Sequence, residues 1–416
     1  MRIPLTSTRR TVVFLALSFL AFGAYVTCAF SSFLADHSAA SGTEQGLRQA
    51  VRLEPWNAGH WNALGRHLLF TAQDVPGAVA ALNRATTLNR EEGHYWLDLA
   101  VAYAAAGNTQ AQTQAIREAV QLDPRTPDIA WQAGNLYFAQ GDVRGALQQL
   151  RAVLENDPAS VDAALDLSWR GTHDVAMVLR EAMPPLADPH LAFIRYLAEH
   201  NQPLAAAQVW KHLVASRLPV RPQTIFGYIF YLLQEHEPEQ ARAVWTDMAH
   251  LDPALDAYAS QDNLIVNGGF DEEVLNGGLD WQFRPIPGAT LRIDSTEFHG
   301  GRASLCIRFD GVVDQAGVLQ VIPVLPATQY GLTAFVKTEQ IDSGSGPRLQ
   351  LADGYTGVPV ATAEDDIGST PWHQVQLDVS TSPNTRLLVL RVVRVPATTL
   401  VQGKMWLDDV RLVPKR

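Results

Sequence analysis

The sequence predicts three parts in series: a membrane-crossing helix, an all-α solenoid of helical hairpins, and an all-β sandwich. Three observations carry this reading. The 25 residues from Thr11 to Ala35 hold no formal charge. Glu54-Pro55, Asn89-Arg90, Asp123-Pro124 and Asp157-Pro158 follow one another at intervals of 35, 34 and 34 residues, a period that belongs to stacked repeats. From Asn263 onward, helical spacing of apolar residues gives way to short in-and-out alternation.

Composition sets the outer limits. The chain has 416 residues, 47% hydrophobic and 18% charged, so it is a folded, multidomain protein rather than a disordered one. Its 32 Lys+Arg against 43 Asp+Glu give a formal charge of −11. No basic run is present to neutralise phosphates, so nucleic acid is not an expected partner. The two cysteines are Cys28 and Cys306. Cys28 lies in the apolar run, which excludes a disulfide framework and a cysteine-based zinc site.

The apolar run is long enough for a bilayer, which a helix of about 20 residues spans. Arg2, Arg9 and Arg10 precede it, and positive flanks stay in the cytoplasm. Residues 1–10 are therefore read as a cytoplasmic flank and 11–35 as a single-pass signal anchor in the cell (inner) membrane, with everything downstream extracytoplasmic. The alternative is cleavage near Ser38-Ala39-Ala40, which yields a secreted protein. A signal peptide has an apolar core of only about 7–15 residues, shorter than this one. Lipidation at Cys28 fits poorly, because Tyr25-Val26-Thr27 lacks the leucine-like and small residues it needs.

Within the repeats, Trp61-x2-Leu64-Gly65-x2-Leu68 is followed by Trp96-x2-Leu99-Ala100-x2-Tyr103 and Ala130-x2-Ala133-Gly134-x2-Tyr137. A second helix is expected after each, over Pro76 to Thr87, Thr109 to Gln121 and Val143 to Glu155. Gly65, Ala100 and Gly134 are small where a neighbouring helix must approach, and Trp61, Trp96 and Tyr137 fill the space between helices. Gly107-Asn108 and Gly141-Asp142 place a residue suited to a left-handed C-cap before one suited to an N-cap. This series resembles the tetratricopeptide repeat family. Beyond Pro158 the pattern weakens, with one irregular helical stretch over 161–183. Glu199-His200 then matches Glu235-His236, 36 apart, and Ala206 and Val209-Trp210 match Ala241 and Val244-Trp245, 35 apart. Five or six hairpins are expected over residues 44–258. The resemblance implies a groove that binds a protein partner. A mere spacer between membrane and C-terminal domain is the other reading.

The last 154 residues, 263–416, contain runs such as Ser304–Phe309, Tyr330–Lys337, Leu387–Val395 and Met405–Leu412. Eight to ten strands in that length predict a two-layer sandwich. The domain opens Asn263-Leu-Ile-Val-Asn267-Gly-Gly-Phe270-Asp271, reaches Trp281, passes Gly301-x2-Ser-Leu305 and Trp372-His-Gln-Val, and ends Met405-Trp406-Leu407-Asp408-Asp409-Val410. This resembles the jelly-roll carbohydrate-binding modules, within the wider galactose-binding-like sandwiches. The resemblance implies a structural calcium ion on Asp271 and on Asp408 or Asp409, since calcium gathers several oxygen ligands. It also implies a carbohydrate ligand. Sugar binding calls for aromatic faces beside polar groups. Tyr355, in the loop Asp353-Gly354-Tyr355-Thr356-Gly357, is the first candidate, and Phe335 and Trp406 follow.

Other signals are set aside. Asn267-Gly-Gly-Phe-Asp271 and Asn276-Gly-Gly-Leu-Asp280 stand nine residues apart and are read as two turns. His60 and His94, 34 apart, are read as packing residues of adjacent hairpins, not as metal ligands. No His-Glu-x-x-His, phosphate-cradling glycine loop or nucleophile elbow appears. Glu364-Asp365-Asp366 is a solvated carboxylate cluster by type. The expectation is a non-catalytic, membrane-anchored adaptor that joins a protein partner to a glycan, in the setting of surface polysaccharide assembly or export. A pure protein–protein scaffold and a glycan-active enzyme remain the alternatives.

Overall fold

The computed structural model describes residues 8–259 and 262–415; Arg2 of the basic flank lies outside them. The chain divides into two compact units, Met1–Pro184 and Pro185–Arg416.

The first unit begins with α1 (Thr8–Ala40), which at 33 residues extends about 50 Å. It is long and apolar enough to cross a membrane, and Phe19, Leu20, Phe22 and Tyr25 all point outward, as side chains in lipid do. Its last turns leave that pattern. Ala35 is fully buried, because α2 (Glu44–Leu53) folds back onto it. Three regular hairpins follow: α3 (Ala58–Phe70) with α4 (Val75–Leu88), α5 (Gly93–Ala105) with α6 (Thr109–Leu122), and α7 (Pro127–Gln140) with α8 (Val143–Asn156). The irregular pair α9 (Val161–Thr172) and α10 (Val175–Glu181) completes the unit.

Local chemistry explains these boundaries. Gly107 and Gly141 take φ values of 73° and 79°, and the next residues, Asn108 and Asp142, accept hydrogen bonds from Ala111 N and Gly145 N. The indole of Trp61 donates to Pro55 O at 3.0 Å and that of Trp96 donates to Arg90 O at 2.9 Å, the same bond one repeat later. Gly65 is obligatory where it stands, since an added Cβ would overlap Leu82. In the register of these tryptophans, His60 aligns with Tyr95, so His94 occupies a different position from His60.

The second unit opens with α11 (Ala187–Glu199) and α12 (Pro203–Ala215), then α13 (Pro222–Gln234) and α14 (Pro238–Leu251). Among the described residues its ten strands are β1 (Gln282–Phe283), β2 (Ala289–Asp294), β3 (Ser304–Gly311), β4 (Gln315–Pro323), β5 (Gln329–Asp342), β6 (Arg348–Asp353), β7 (Pro359–Thr362), β8 (Gly368–Ser380), β9 (Leu387–Val393) and β10 (Val401–Pro414). They form two five-stranded antiparallel sheets, β1-β4-β9-β6-β7 and β2-β3-β10-β5-β8. Alternate residues of both sheets point inward, so Leu351, Leu390 and Ile322 of one meet Leu332, Leu407 and Ile307 of the other. The opening motif is structural. Asn263 Oδ1 accepts from Leu412 N and its Nδ2 donates to Val410 O, while Trp281 Nε1 donates to Asn267 O.

The change from helix to strand falls near Asn263, but the change in packing falls at Pro184-Pro185. The last two hairpins therefore pack with the sandwich. Arg242 Nη1 donates to Pro323 O at 3.2 Å, and Tyr258 Oη donates to Glu273 O at 2.7 Å. Asn276-Gly-Gly-Leu-Asp280 is a turn whose glycines make room for this approach. A Cβ at Gly277 would overlap Phe226, and one at Gly278, with φ 59°, would overlap Trp245.

Candidate functional site

The sheet β1-β4-β9-β6-β7 turns Val318, Ile322, Leu349, Leu351, Leu390 and Val392 into the core. Strand alternation then puts Leu319, Val321, Gln350, Val389 and Arg391 on its outer face. Register aligns these residues across the sheet. Gln282 faces Leu319, Leu319 faces Arg391, Arg391 faces Gln350, and Gln350 faces Thr362. Arg391 Nε and Nη2 donate to Gln350 Oε1 at 3.0 and 2.8 Å, and Gln350 Nε2 donates to Thr362 Oγ1 at 3.1 Å. Arg391, Gln350 and Thr362 thus form a polar row, which partly exposed Leu319 separates from Gln282, with partly exposed Val321 and Val389 beside it.

One end of this face meets α13. Between them lies a cavity of about 460 Å³. Phe226, Ile229, Phe230 and Leu233 line it from the helix, and Asn276, Gln282, Arg284 and Tyr355 line it from the sandwich. Arg284 Nη2 donates to Gln282 Oε1 at 3.3 Å. The Tyr355 loop is held by Asp353 Oδ1, which accepts from Tyr355 N and Thr356 N at 3.0 and 2.9 Å. Tyr355 rests on His236 with ring centroids 4.1 Å apart. Its hydroxyl is buried without a hydrogen-bond partner, and burial, with Asp353 and Glu237 nearby, pushes its pKa up.

Phe335 and Trp406 lie elsewhere. They sit on the outer face of the opposite sheet, where Trp406 pairs with Lys337 and Phe335 with Asp408 across β5 and β10. Trp406 is 4% exposed. Its Nε1 donates to Asp294 Oδ2 at 3.0 Å, and the ammonium groups of Lys337 and Lys404 lie 5.4 and 5.5 Å from the ring, in cation–π range. Phe335 stacks on His299 with centroids 3.5 Å apart and rings 11° from parallel. Tyr355 is thus separated from the other two by the thickness of the sandwich. Gln282, Arg284, Gln350, Thr362 and Arg391 escaped the sequence reading because no local motif marks them.

Asp271, Asp408 and Asp409 gather around the loop His299–Arg302. Asp408 Oδ2 accepts from His299 N and Gly300 N at 2.8 and 3.0 Å, and its Oδ1 accepts from Asp409 N at 2.7 Å. Burial nevertheless pushes its pKa up. Asp409 Oδ2 lies 2.6 Å from His299 Nδ1. Asp271 Oδ1 accepts from Arg302 N. A Cβ built at Gly269 would lie 3.3 Å from Asp271 Oδ2 and 3.9 Å from Asp408 Oδ1. Asp271 Oδ2 and Asp408 Oδ1 therefore both face a point of backbone that carries no side chain.

A second groove runs along α11 and α13, the first helices of neighbouring hairpins. Its cavity, about 620 Å³, is lined by Asp188, Leu191, Arg195, Glu199, Tyr228 and Tyr231. Tyr231 Oη is buried there without a partner, and burial pushes the Tyr228 hydroxyl up to about 12.

No family model matches this chain, and no curated protein matches it. Among solved structures it is similar to a CBM4 structure at 12% identity, over 36% of this chain and 99% of the other, with a TM-score of 0.29. It is similar to TmCBM61 in complex with beta-1,4-galactotriose at 17% identity, over 37% and 99%, with a TM-score of 0.28. It is also similar to MamA protein at 13% identity, over 46% and 92%, with a TM-score of 0.29.

Proposed function

We propose that this protein is a non-catalytic, membrane-anchored, extracytoplasmic adaptor whose sandwich holds a glycan and whose helical repeats hold a protein. The carrying observation is the polar row Arg391–Gln350–Thr362, bordered by apolar side chains and lying beside a cavity that α13 forms with Gln282 and Tyr355. Sugar rings need both kinds of surface: C–H faces rest on apolar groups, and amides and a guanidinium fix the hydroxyls. Here Leu319, Val321 and Val389 offer the first and Arg391, Gln350 and Gln282 the second. The tyrosine-lined groove on α11 and α13 supports the protein-binding half of the reading.

A printed glycan array probed with the full-length protein in detergent tests this. Binding is expected, with Arg391→Ala weakening it at least tenfold, about the 1.4 kcal/mol of a hydrogen bond to a charged group. Absence of binding to any glycan leaves the scaffold alternative. Release of new reducing ends by the purified protein would establish the enzyme alternative.

The uncleaved anchor has its own support. Ser38-Ala39-Ala40 lies inside α1, whose last turns bury Ala35 and donate a hydrogen bond from Ser32 to Glu54. Cleavage there would cut into packed structure. Calcium belongs to the same proposal. Asp271 and Asp408 would hold it and the ion would offset the burial of Asp408. Calcium is expected to raise the melting temperature by several degrees, with Asp408→Asn abolishing the shift; an identical shift in the variant counts against the site.

A further inference from the structure

Three successive helices of the first unit bring Asp36, Glu54 and His60 to one place. Asp36 lies in α1 just beyond the apolar run, Glu54 caps the C-terminus of α2, and His60 is in the first turn of α3. His60 Nε2 lies 3.1 Å from Glu54 Oε2 and 3.5 Å from Asp36 Oδ1. The three ligand atoms all lie within 4.8 Å of one another. The side chains of Glu54 and His60 are 8% and 9% exposed, while that of Asp36 is 74% exposed.

Hydrogen bonding explains only part of this. An imidazole carries at most one hydrogen on Nε2. That hydrogen serves Glu54, and the Asp36 oxygen then faces the same nitrogen without a proton of its own. One ring nitrogen and two carboxylates around a point are a three-ligand set for zinc-class ions, with a fourth position left to water. Bonds of about 2.0–2.1 Å in a tetrahedron put ligand atoms about 3.3–3.4 Å apart. The observed 3.1 and 3.5 Å bracket that edge. Glu54 is also oriented from behind, accepting from Ser32 Oγ and, at 3.0 Å, from Asn57 Nδ2. Bonds of this kind fix metal-binding carboxylates.

The cluster is not a feature of the repeat. One unit later, Glu54 and His60 correspond to Asn89 and Tyr95, and a unit after that to Asp123 and Ile129. Stacking of hairpins therefore needs neither the imidazole nor its carboxylate. His94 has Asp128 at 3.5 Å and is 45% exposed.

We propose that Asp36, Glu54 and His60 form a binding site for a zinc-class divalent cation, which ties the membrane-emergent end of α1 to the first complete hairpin. The bound ion would cross-link the anchor to the array, so that the membrane helix and the repeats turn as one body. This replaces the packing role assigned to His60 from sequence.

The probe is Co²⁺, added to chelator-stripped full-length protein in detergent and followed by the visible absorption of four-coordinate cobalt. The expected result is one ion per chain, displaced by Zn²⁺. His60→Ala should abolish the signal and His94→Ala should leave it intact. Asp36→Asn, at an exposed position, should weaken affinity at least tenfold without unfolding the chain. His60→Cys should restore binding with a thiolate-to-cobalt band, which separates ligand loss from misfolding. No four-coordinate cobalt on the wild-type chain, or wild-type affinity in Asp36→Asn or His60→Ala, overturns the proposal.

Discussion

Arg394→Ala is expected to destabilise the sandwich by about 3–5 kcal/mol, seen as an earlier unfolding transition in urea. Arg394 is 2% exposed. Its guanidinium donates to Ser345 O at 3.0 Å, Val313 O at 3.2 Å, Thr399 O at 2.9 Å, Ser343 Oγ at 2.6 Å and Thr399 Oγ1 at 3.1 Å. These acceptors come from three loops, which the side chain ties to the end of β9. Truncation leaves several buried oxygens without donors, each costing about 1–3 kcal/mol, and opens a cavity as well. Burial already pulls the Arg394 pKa down, so the charge itself is a cost that the five bonds offset. Arg394→Lys should recover only part of the loss, because one ammonium has three donors and no fork. An unchanged urea midpoint in Arg394→Ala would mean that the loops hold themselves.

Asp280→Asn is expected to remove a pH dependence of stability between about pH 4 and pH 7. Asp280 is fully buried, one of its oxygens has no partner, and the other accepts from Leu275 N at 2.7 Å. Burial pushes its pKa up to about 7, against the N–H groups of Leu275 and Trp281. In the unfolded chain the value is about 3.9. The folded state therefore holds the proton more tightly. Its contribution to stability is fullest below about pH 4, declines as pH rises, and is lost above about pH 7. The span of about 3 pH units corresponds to roughly 4 kcal/mol. The variant cannot ionise, so its stability relative to the wild type should rise across that window. Parallel pH profiles for the two proteins would contradict the assignment.

Local signals account for most of the fold. The spacing of Trp61 and Trp96 reports a real equivalence, because both indoles close the same bond to the preceding loop. Gly107-Asn108 and Gly141-Asp142 act as a stop and a start through their own backbone preferences. Asn263 stands out in sequence because it stitches the first and last segments of the sandwich together, and Asn267 and Trp281 because they bond to each other within the opening segment. Long-range information is what a sequence pattern lacks. Alternation puts Phe335 and Lys337 on one face of β5, but only the packing of Ala334 and Val336 against the other sheet makes that face the outer one. The row through Arg391, Gln350 and Thr362 joins strands from separate parts of the chain. Asn276-Gly-Gly-Leu-Asp280 reads as a turn, yet its glycines are there for Phe226 and Trp245, which lie 30 residues or more upstream. His60 looks like a packing residue until Asp36 and Glu54 arrive from two other helices.

The central claim concerns which sheet face holds the ligand. Hydrogen–deuterium exchange of the full-length protein, with and without a glycan selected on the array, tests it most directly. Protection should appear in β4, β6, β9 and α13, and Arg391→Ala should erase it. Protection confined to β5 and β10, around Phe335 and Trp406, would contradict the account.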